Sequence, residues 1–170
     1  LNKIKVTGSS FTIENHQTNP NNKLYTISCI DYQITNQNQI ISLSNSREVF
    51  RSDLNGNTAK LFDVHVESDV NFGQLSLCSK NKLWLISTGD GVFQYDYNGN
   101  LLEHFNHIES DPASLCWNEM KDVVEDSHGN TWFCTEGGLD VLPLTKIPVQ
   151  ILCTKRDQDK TKFIKKPLNA

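Results

Sequence analysis

Val-Val-Glu-Asp-Ser-His-Gly-Asn-Thr-Trp-Phe-Cys-Thr-Glu-Gly-Gly-Leu-Asp-Val-Leu, residues 123 to 142, is the stretch whose reading decides the fold. Two apolar, β-prone runs flank the polar turn Asp126-Ser127-His128-Gly129-Asn130, and the second run ends at Gly137-Gly138. That order predicts a hairpin followed at once by another sharp turn.

The stretch is one copy of a repeat. At an offset of 43 residues Ser44 falls on Ser87, Val49-Phe50 on Val92-Phe93, Asp53 on Asp96, Asn55-Gly56-Asn57 on Asn98-Gly99-Asn100 and Phe62 on Phe105. At an offset of 48, Trp84 falls on Trp132, Gly89 on Gly137, and Ser87 faces Thr135. The added residues fit in the loop His107 to Glu119, where length varies without disturbing strands. A period of about 40 to 50 residues is that of a propeller blade.

Within 70–105 the pattern predicts strands at 74–79, 82–87, 92–97 and 101–105, with Asn98-Gly99 as a tight turn of the type that needs positive φ. Ile4 to Glu14 reads as two short strands joined at Gly8-Ser9-Ser10, Asn15 to Asn22 as a loop, and Leu24 to Ile34 as strand again. No segment shows helical periodicity beyond a turn. The expected fold is all-β: β-propeller blades of four antiparallel strands, about three and a half of them, forming an incomplete ring. Residues 1–147 make the partial propeller, in units of about 1–19, 24–62, 70–105 and 116–147; residues 148–170 hold an extra strand, near Val149 to Cys153, and a basic tail.

Composition narrows the class. An apolar content of 37% and a charged content of 21% over 170 residues fit a globular chain. No run reaches the roughly 18 to 20 apolar residues of a spanning helix, and the start, Leu1-Asn2-Lys3-Ile4-Lys5, has no signal-peptide hydrophobic region. The chain begins with Leu and reads as a segment of something larger, so a membrane would be met only through absent segments. The formal charge of −4 is uneven: Lys155, Arg156, Lys160, Lys162, Lys165 and Lys166 crowd the tail and leave the body near −8. An acidic body speaks against nucleic acid as a partner. Cys29, Cys78, Cys116, Cys134 and Cys153 show no C-x-x-C pair and no His at zinc spacing, so no metal is expected; one disulfide remains open.

The stretch Asp126 to Leu139 resembles the two-component regulator propeller repeat, whose pattern is E-D-x-x-G-x-L-W-x-G-T-x-x-G-G-L, and Ser110-Asp111-Pro112-Ala113-Ser114-Leu115 resembles that family's D-P-x-S-L linker. The likeness is closest over 107–142, looser over 71–105 and loosest over 24–62, where Ile41 replaces the Trp. The resemblance implies an extracytoplasmic sensor domain of a membrane-bound hybrid histidine kinase, on the periplasmic or extracellular side of a bacterial membrane, responding to glycan fragments. It also implies that these blades are part of a larger ring, with self-association or pairing with missing blades at the open edge.

Most polar groups read as geometry. In Asp96-Tyr97-Asn98-Gly99-Asn100 the Gly is fourth and no Glu lies at the twelfth position, so the cluster reads as a hairpin turn and not as an EF-hand loop. Asp126 to Asn130 resembles an Asp-box turn, with Asp126 bonding nearby amides. Trp84 and Trp132 read as packing between blades. No nucleophile elbow, Gly-rich phosphate loop or H-E-x-x-H occurs, so no catalytic residue and no cofactor is assigned. The ligand-binding candidates lie on one rim of the ring: Arg47, Asp90 and Glu136 in loops between second and third strands, and Trp117, Asn118 and Glu119 in the loop linking two blades. An indole in a polar loop stacks on a sugar face while amides and carboxylates bond hydroxyls; the other reading of Trp117 is a plug between blades. Alternative functions are a purely structural or dimerisation segment and a glycan-cleaving enzyme, whose paired acids are set by separation in space.

Overall fold

The computed structural model describes residues 28–144 except 56, 67, 68, 79 and 80, together with the backbone of strands at 2–7, 10–15, 150–155 and 162–163. The loop Asn15 to Asn22, the start of the strand predicted from Leu24, and most of the basic tail lie outside the described residues. At the beginning, β1 (Asn2–Thr7) and β2 (Ser10–Asn15) pair as the expected antiparallel hairpin.

Three antiparallel units follow. The first is β3 (Cys29–Ile34), β4 (Ile40–Ser44), β5 (Glu48–Ser52) and β6 (Thr58–Asp63), paired in chain order. The second is β7 (Phe72–Cys78), β8 (Lys82–Ser87), β9 (Val92–Asp96) and β10 (Leu101–Phe105), within two residues of the strands predicted for it. The third is β11 (Met120–Glu125), β12 (Thr131–Thr135), β13 (Gly138–Leu142) and β14 (Gln150–Lys155), with the two-residue β15 (Lys162–Phe163) added beyond. The extra strand expected within 148–170 is thus β14, and it pairs with β13 as the fourth strand of the third sheet. The described residues contain no helix, and none long and apolar enough to cross a membrane.

The repeated Asp turns explain why these hairpins form where they do. Asp53 Oδ1 accepts the N–H groups of Asn55 and Asn57 at 2.9 Å each, and its Oδ2 accepts Asn57 Nδ2 at 2.7 Å. Asp96 does the same with Asn98 and Asn100, and Asp126 with His128 and Asn130. One carboxylate thereby satisfies donors that a tight turn would otherwise strand. Gly99 supplies the left-handed residue, with φ of 86°, and packs so closely on Phe62 of the first sheet that an added Cβ would stand 2.6 Å from it. The device closes strands three and four in the first two units and strands one and two in the third; in a four-stranded meander both turns lie at one end.

At the opposite end a hydroxyl closes each turn between second and third strands. Glu48 N donates to Ser44 Oγ at 3.1 Å, Asp90 N to Ser87 Oγ at 3.0 Å and Gly137 N to Thr135 Oγ1 at 3.1 Å. The Ser87 and Thr135 correspondence seen in the repeat is therefore functional within the fold.

Apolar clusters fill the two seams. Between first and second sheets lie Ile41, Leu43, Val49, Phe62, Leu75, Leu83, Leu85, Phe93 and Tyr95; between second and third lie Trp84, Ile86, Val92, Met120, Val123 and Phe133. Trp84 meets Phe133 edge to face, ring centroids 5.4 Å apart, a geometry that adds about 0.5 to 1.5 kcal/mol to burial. Alternate residues of β8 belong to opposite seams, Leu83 and Leu85 to one and Trp84 and Ile86 to the other, which is why that strand is apolar from 83 to 86.

Candidate functional site

The rim bearing the second-to-third-strand turns also carries the inter-sheet linkers, and the linker between β10 and β11 is the most elaborate. Asp111 Oδ1 accepts Ala113 N at 2.8 Å, and Ser114 Oγ both accepts Ile108 N at 2.9 Å and donates to Asp111 O at 2.7 Å. His107 Nδ1 lies 2.7 Å from Leu115 O. These bonds turn the linker so that Leu115, 6% exposed, drops into the cluster between the second and third sheets. Leu115 is therefore the plug of that seam.

Beyond Leu115 the chain rises to the surface. Cys116, which is disulfide-bonded, donates its main-chain N–H to Asp140 Oδ2 at 2.9 Å. Trp117 remains 49% exposed, its indole 6.0 Å from the His107 ring at an interplanar angle of 29°. Gly137 permits this approach, since a Cβ there would stand 3.1 Å from Trp117 Cβ. Asn118 Oδ1 accepts His107 N at 2.6 Å, and Asn118 O accepts Gly91 N at 3.2 Å. Glu119 bridges two sheets: it pairs with Thr88 as an isolated antiparallel bridge, and its carbonyl accepts Glu136 N at 2.9 Å.

Five of the six predicted residues, Trp117, Asn118, Glu119, Asp90 and Glu136, thus converge on the seam of the second and third sheets. Glu136 is paired with Lys121 at 2.6 Å, both side chains being exposed, and this partner raises the Lys121 pKa. Asp90 offers its carbonyl to His104 Nε2 at 2.8 Å, with the carboxylate 3.8 Å from the same nitrogen. His104 is held there by stacking on Phe93, centroids 3.9 Å apart. Arg47 sits one seam away, in the β4–β5 turn, left-handed at φ 60° and 3.9 Å from Asp69.

Sequence reasoning passed over Asp140. It is 1% exposed, and burial raises its carboxyl pKa while the Cys116 N–H and nearby His107 oppose the shift. The signal was its pairing position: Asp140 stands opposite Phe133, on the inward face of the hairpin where an apolar residue is expected. Among the described residues no group of His, Cys, Asp and Glu gathers to hold a metal ion.

No protein-family model and no curated protein matches the sequence. Solved structures match by fold. The extracellular domain of a protein assigned to the hybrid two-component systems of B. thetaiotaomicron aligns with TM-score 0.55 and 13% identity over 74% of this chain and 18% of that one. A second extracellular domain from B. thetaiotaomicron, assigned to a one-component system, gives TM-score 0.53 and 17% identity over 78% and 17% of the two chains. The fold is a β-propeller segment. A streptogramin B lyase aligns as well, with TM-score 0.50 and 13% identity over 69% of this chain and 38% of the lyase. The segment therefore spans less than a fifth of the two sensor chains and about two fifths of the lyase. The likeness to two-component sensor propellers read from the linker and the Trp hairpin is met at the level of fold.

Proposed function

We propose that this propeller segment is the ligand-sensing part of an extracytoplasmic sensor of a hybrid two-component signalling protein, that it is not itself catalytic, and that its ligand is a glycan fragment. The observation that carries the reading is the Trp117 indole, half exposed on the rim, on the linker that also carries Glu119 and against the turn that carries Glu136. An aromatic face beside carboxylates suits a ring that is apolar on its face and hydroxylated at its edge. The fold shared with extracellular domains of B. thetaiotaomicron sensors supports the class, and a disulfide at Cys116 suits an oxidising compartment.

Non-catalysis rests on how the carboxylates are engaged. Glu136 is paired with Lys121, and Asp140, the carboxyl that burial would tune toward an acid, is closed behind Cys116. Calorimetry with a panel of oligosaccharides tests the proposal. At least one member binds, Trp117→Ala loses that binding by tenfold or more, and the bound sugar is recovered uncleaved. Binding that survives Trp117→Ala moves the site elsewhere; cleavage returns the glycosidase reading.

A further inference from the structure

The carboxyl of Asp140 and the sulfur of Cys116 form a buried pair to which the rim site gives no role. Asp140 lies on β13, 1% exposed, and both of its oxygens face Cys116. Oδ2 accepts the Cys116 main-chain N–H at 2.9 Å, while Oδ1 lies 2.9 Å from Cys116 Sγ. In the disulfide that sulfur carries no proton. Oδ1 therefore faces an atom that cannot donate to it, an arrangement that costs a buried carboxylate far more than a neutral carboxylic acid.

The sequence leaves one candidate for the other half of the bond. Of five cysteines, Cys29, Cys78 and Cys134 are free, so Cys153 remains to pair with Cys116. The main chain of Cys153, on β14, stands opposite Gly138, and the adjacent Gly137 packs on Cys116, where an added Cβ would be 3.3 Å from Cys116 Cβ. The bond thus ties β14 to the linker at the step between buried Leu115 and exposed Trp117. Few titratable groups face Asp140: His107 and Cys116 act on it from the linker, while β12 sets Phe133 and β14 the Ile151 main chain at the paired positions. Burial raises the Asp140 pKa and so favours its protonated form.

We propose that the bond between Cys116 and Cys153 is a thiol–disulfide exchange site, opened by an external dithiol, with Asp140 as the proton donor to Cys116. A thiolate of the dithiol attacks the Cys153 sulfur, because the Asp140 carboxyl stands against Cys116 Sγ and repels an anion there whenever it is ionised. The S–S bond breaks, its electron pair goes to Cys116 Sγ, and that sulfur takes the Oδ1 proton across 2.9 Å. Asp140 becomes the carboxylate that accepts the new S–H. The second thiol of the dithiol then displaces Cys153, which takes its proton from water, and the dithiol departs as its own disulfide. Without the carboxyl, Cys116 would leave as a half-buried thiolate, a form that burial disfavours.

Peptide mapping of the oxidised full chain should recover Cys116 joined to Cys153. Reduction by dithiothreitol at about pH 5 should be about tenfold slower, or more, in Asp140→Asn, which keeps an oxygen for the Cys116 N–H. The gap should close as pH rises through the Asp140 pKa, since the parent then loses its donor proton. Taking the ratio of the two chains at each pH cancels the ionisation of the reductant. In the reduced parent, alkylation of Cys116 should need a pH about one unit above the ordinary thiol value of about 8.5, because its thiolate forms beside a carboxylate. That measurement needs no variant and stands even where Asp140→Asn fails to fold. A rate ratio that is the same at every pH, a Cys116 thiol that ionises at or below the ordinary value, or Cys116 joined to any other cysteine overturns the proposal.

Discussion

The second and third sheets share a repeat, a pairing order and a Trp at the same position, yet Trp84 and Trp132 do different things. Trp84 is sealed between Phe105 and Phe133, and its Nε1 has no hydrogen-bond partner. Trp132 is half-buried, and its Nε1 donates to Asp126 Oδ2 at 2.9 Å. The residue matching Asp126 in the second sheet is Cys78, whose thiol is pushed up to about 11, first by burial and then by the charge of Glu125. Where a neighbouring sheet supplies packing, an unpaired indole N–H is tolerated; where none does, a carboxylate anchors the ring. The pair teaches that burial here belongs to the neighbour and not to the residue type.

The largest test of that contrast is truncation. Trp84→Ala should cost about 3 to 5 kcal/mol in urea unfolding, because it empties a closed seam, and Trp132→Ala about 1 to 2 kcal/mol. Equal costs would mean that the third sheet is as covered as the second. Next in size are the carboxylates that bridge neighbouring sheets. Asp31→Ala strands the part-buried Leu75 N–H and should cost about 1 to 2 kcal/mol, whereas Asp122→Ala, which removes an exposed 3.3 Å contact from Gln74 and a bond from the next residue's N–H, should cost less than Asp31→Ala.

Acid unfolding sharpens the comparison further. The Trp132 N–H, then Asn130 and His128, hold the Asp126 carboxyl well below the usual carboxylate range, and Asn100 lowers Asp96. A carboxyl lowered in the folded state stabilises fully above its unfolded value of about 3.9, and that contribution disappears as pH falls toward the folded value. Stability measured from about pH 5 down to 2 should therefore slope less steeply in Asp126→Asn than in the parent, and Asp96→Asn should flatten it less. Equal slopes would remove Trp132 from the account. The smallest effect is expected at the rim: Lys121→Ala breaks an exposed pair with Glu136 and should leave the Tm unchanged within about a degree.

Much of the fold was legible because turns and strands are local chemistry. Asp-x-Asn-Gly-Asn sets a hairpin within five residues, and the apolar runs of β8 and β9 mark strands buried on both faces. The rim was legible for a similar reason: loops of one kind in successive repeats must lie at one end, which placed Trp117, Asn118, Glu119, Asp90 and Glu136 together. Arg47 satisfied the same rule and still lies at the neighbouring seam, since the rule names an end of the sheets and not a position around it. Asp140 was hidden because its partner, the Cys116 N–H, is 24 residues away in sequence.

What the sequence by itself determined is therefore the all-β unit: strands and the turns that join them, fixed by interactions a few residues long. Only the tertiary structure decided that Leu115 fills the seam and frees Trp117 for the surface, that Asp140 is buried, and that Trp84 is enclosed while Trp132 is not. Those outcomes depend on which sheet lies against which, and apolar burial has no direction or spacing that one strand could record alone.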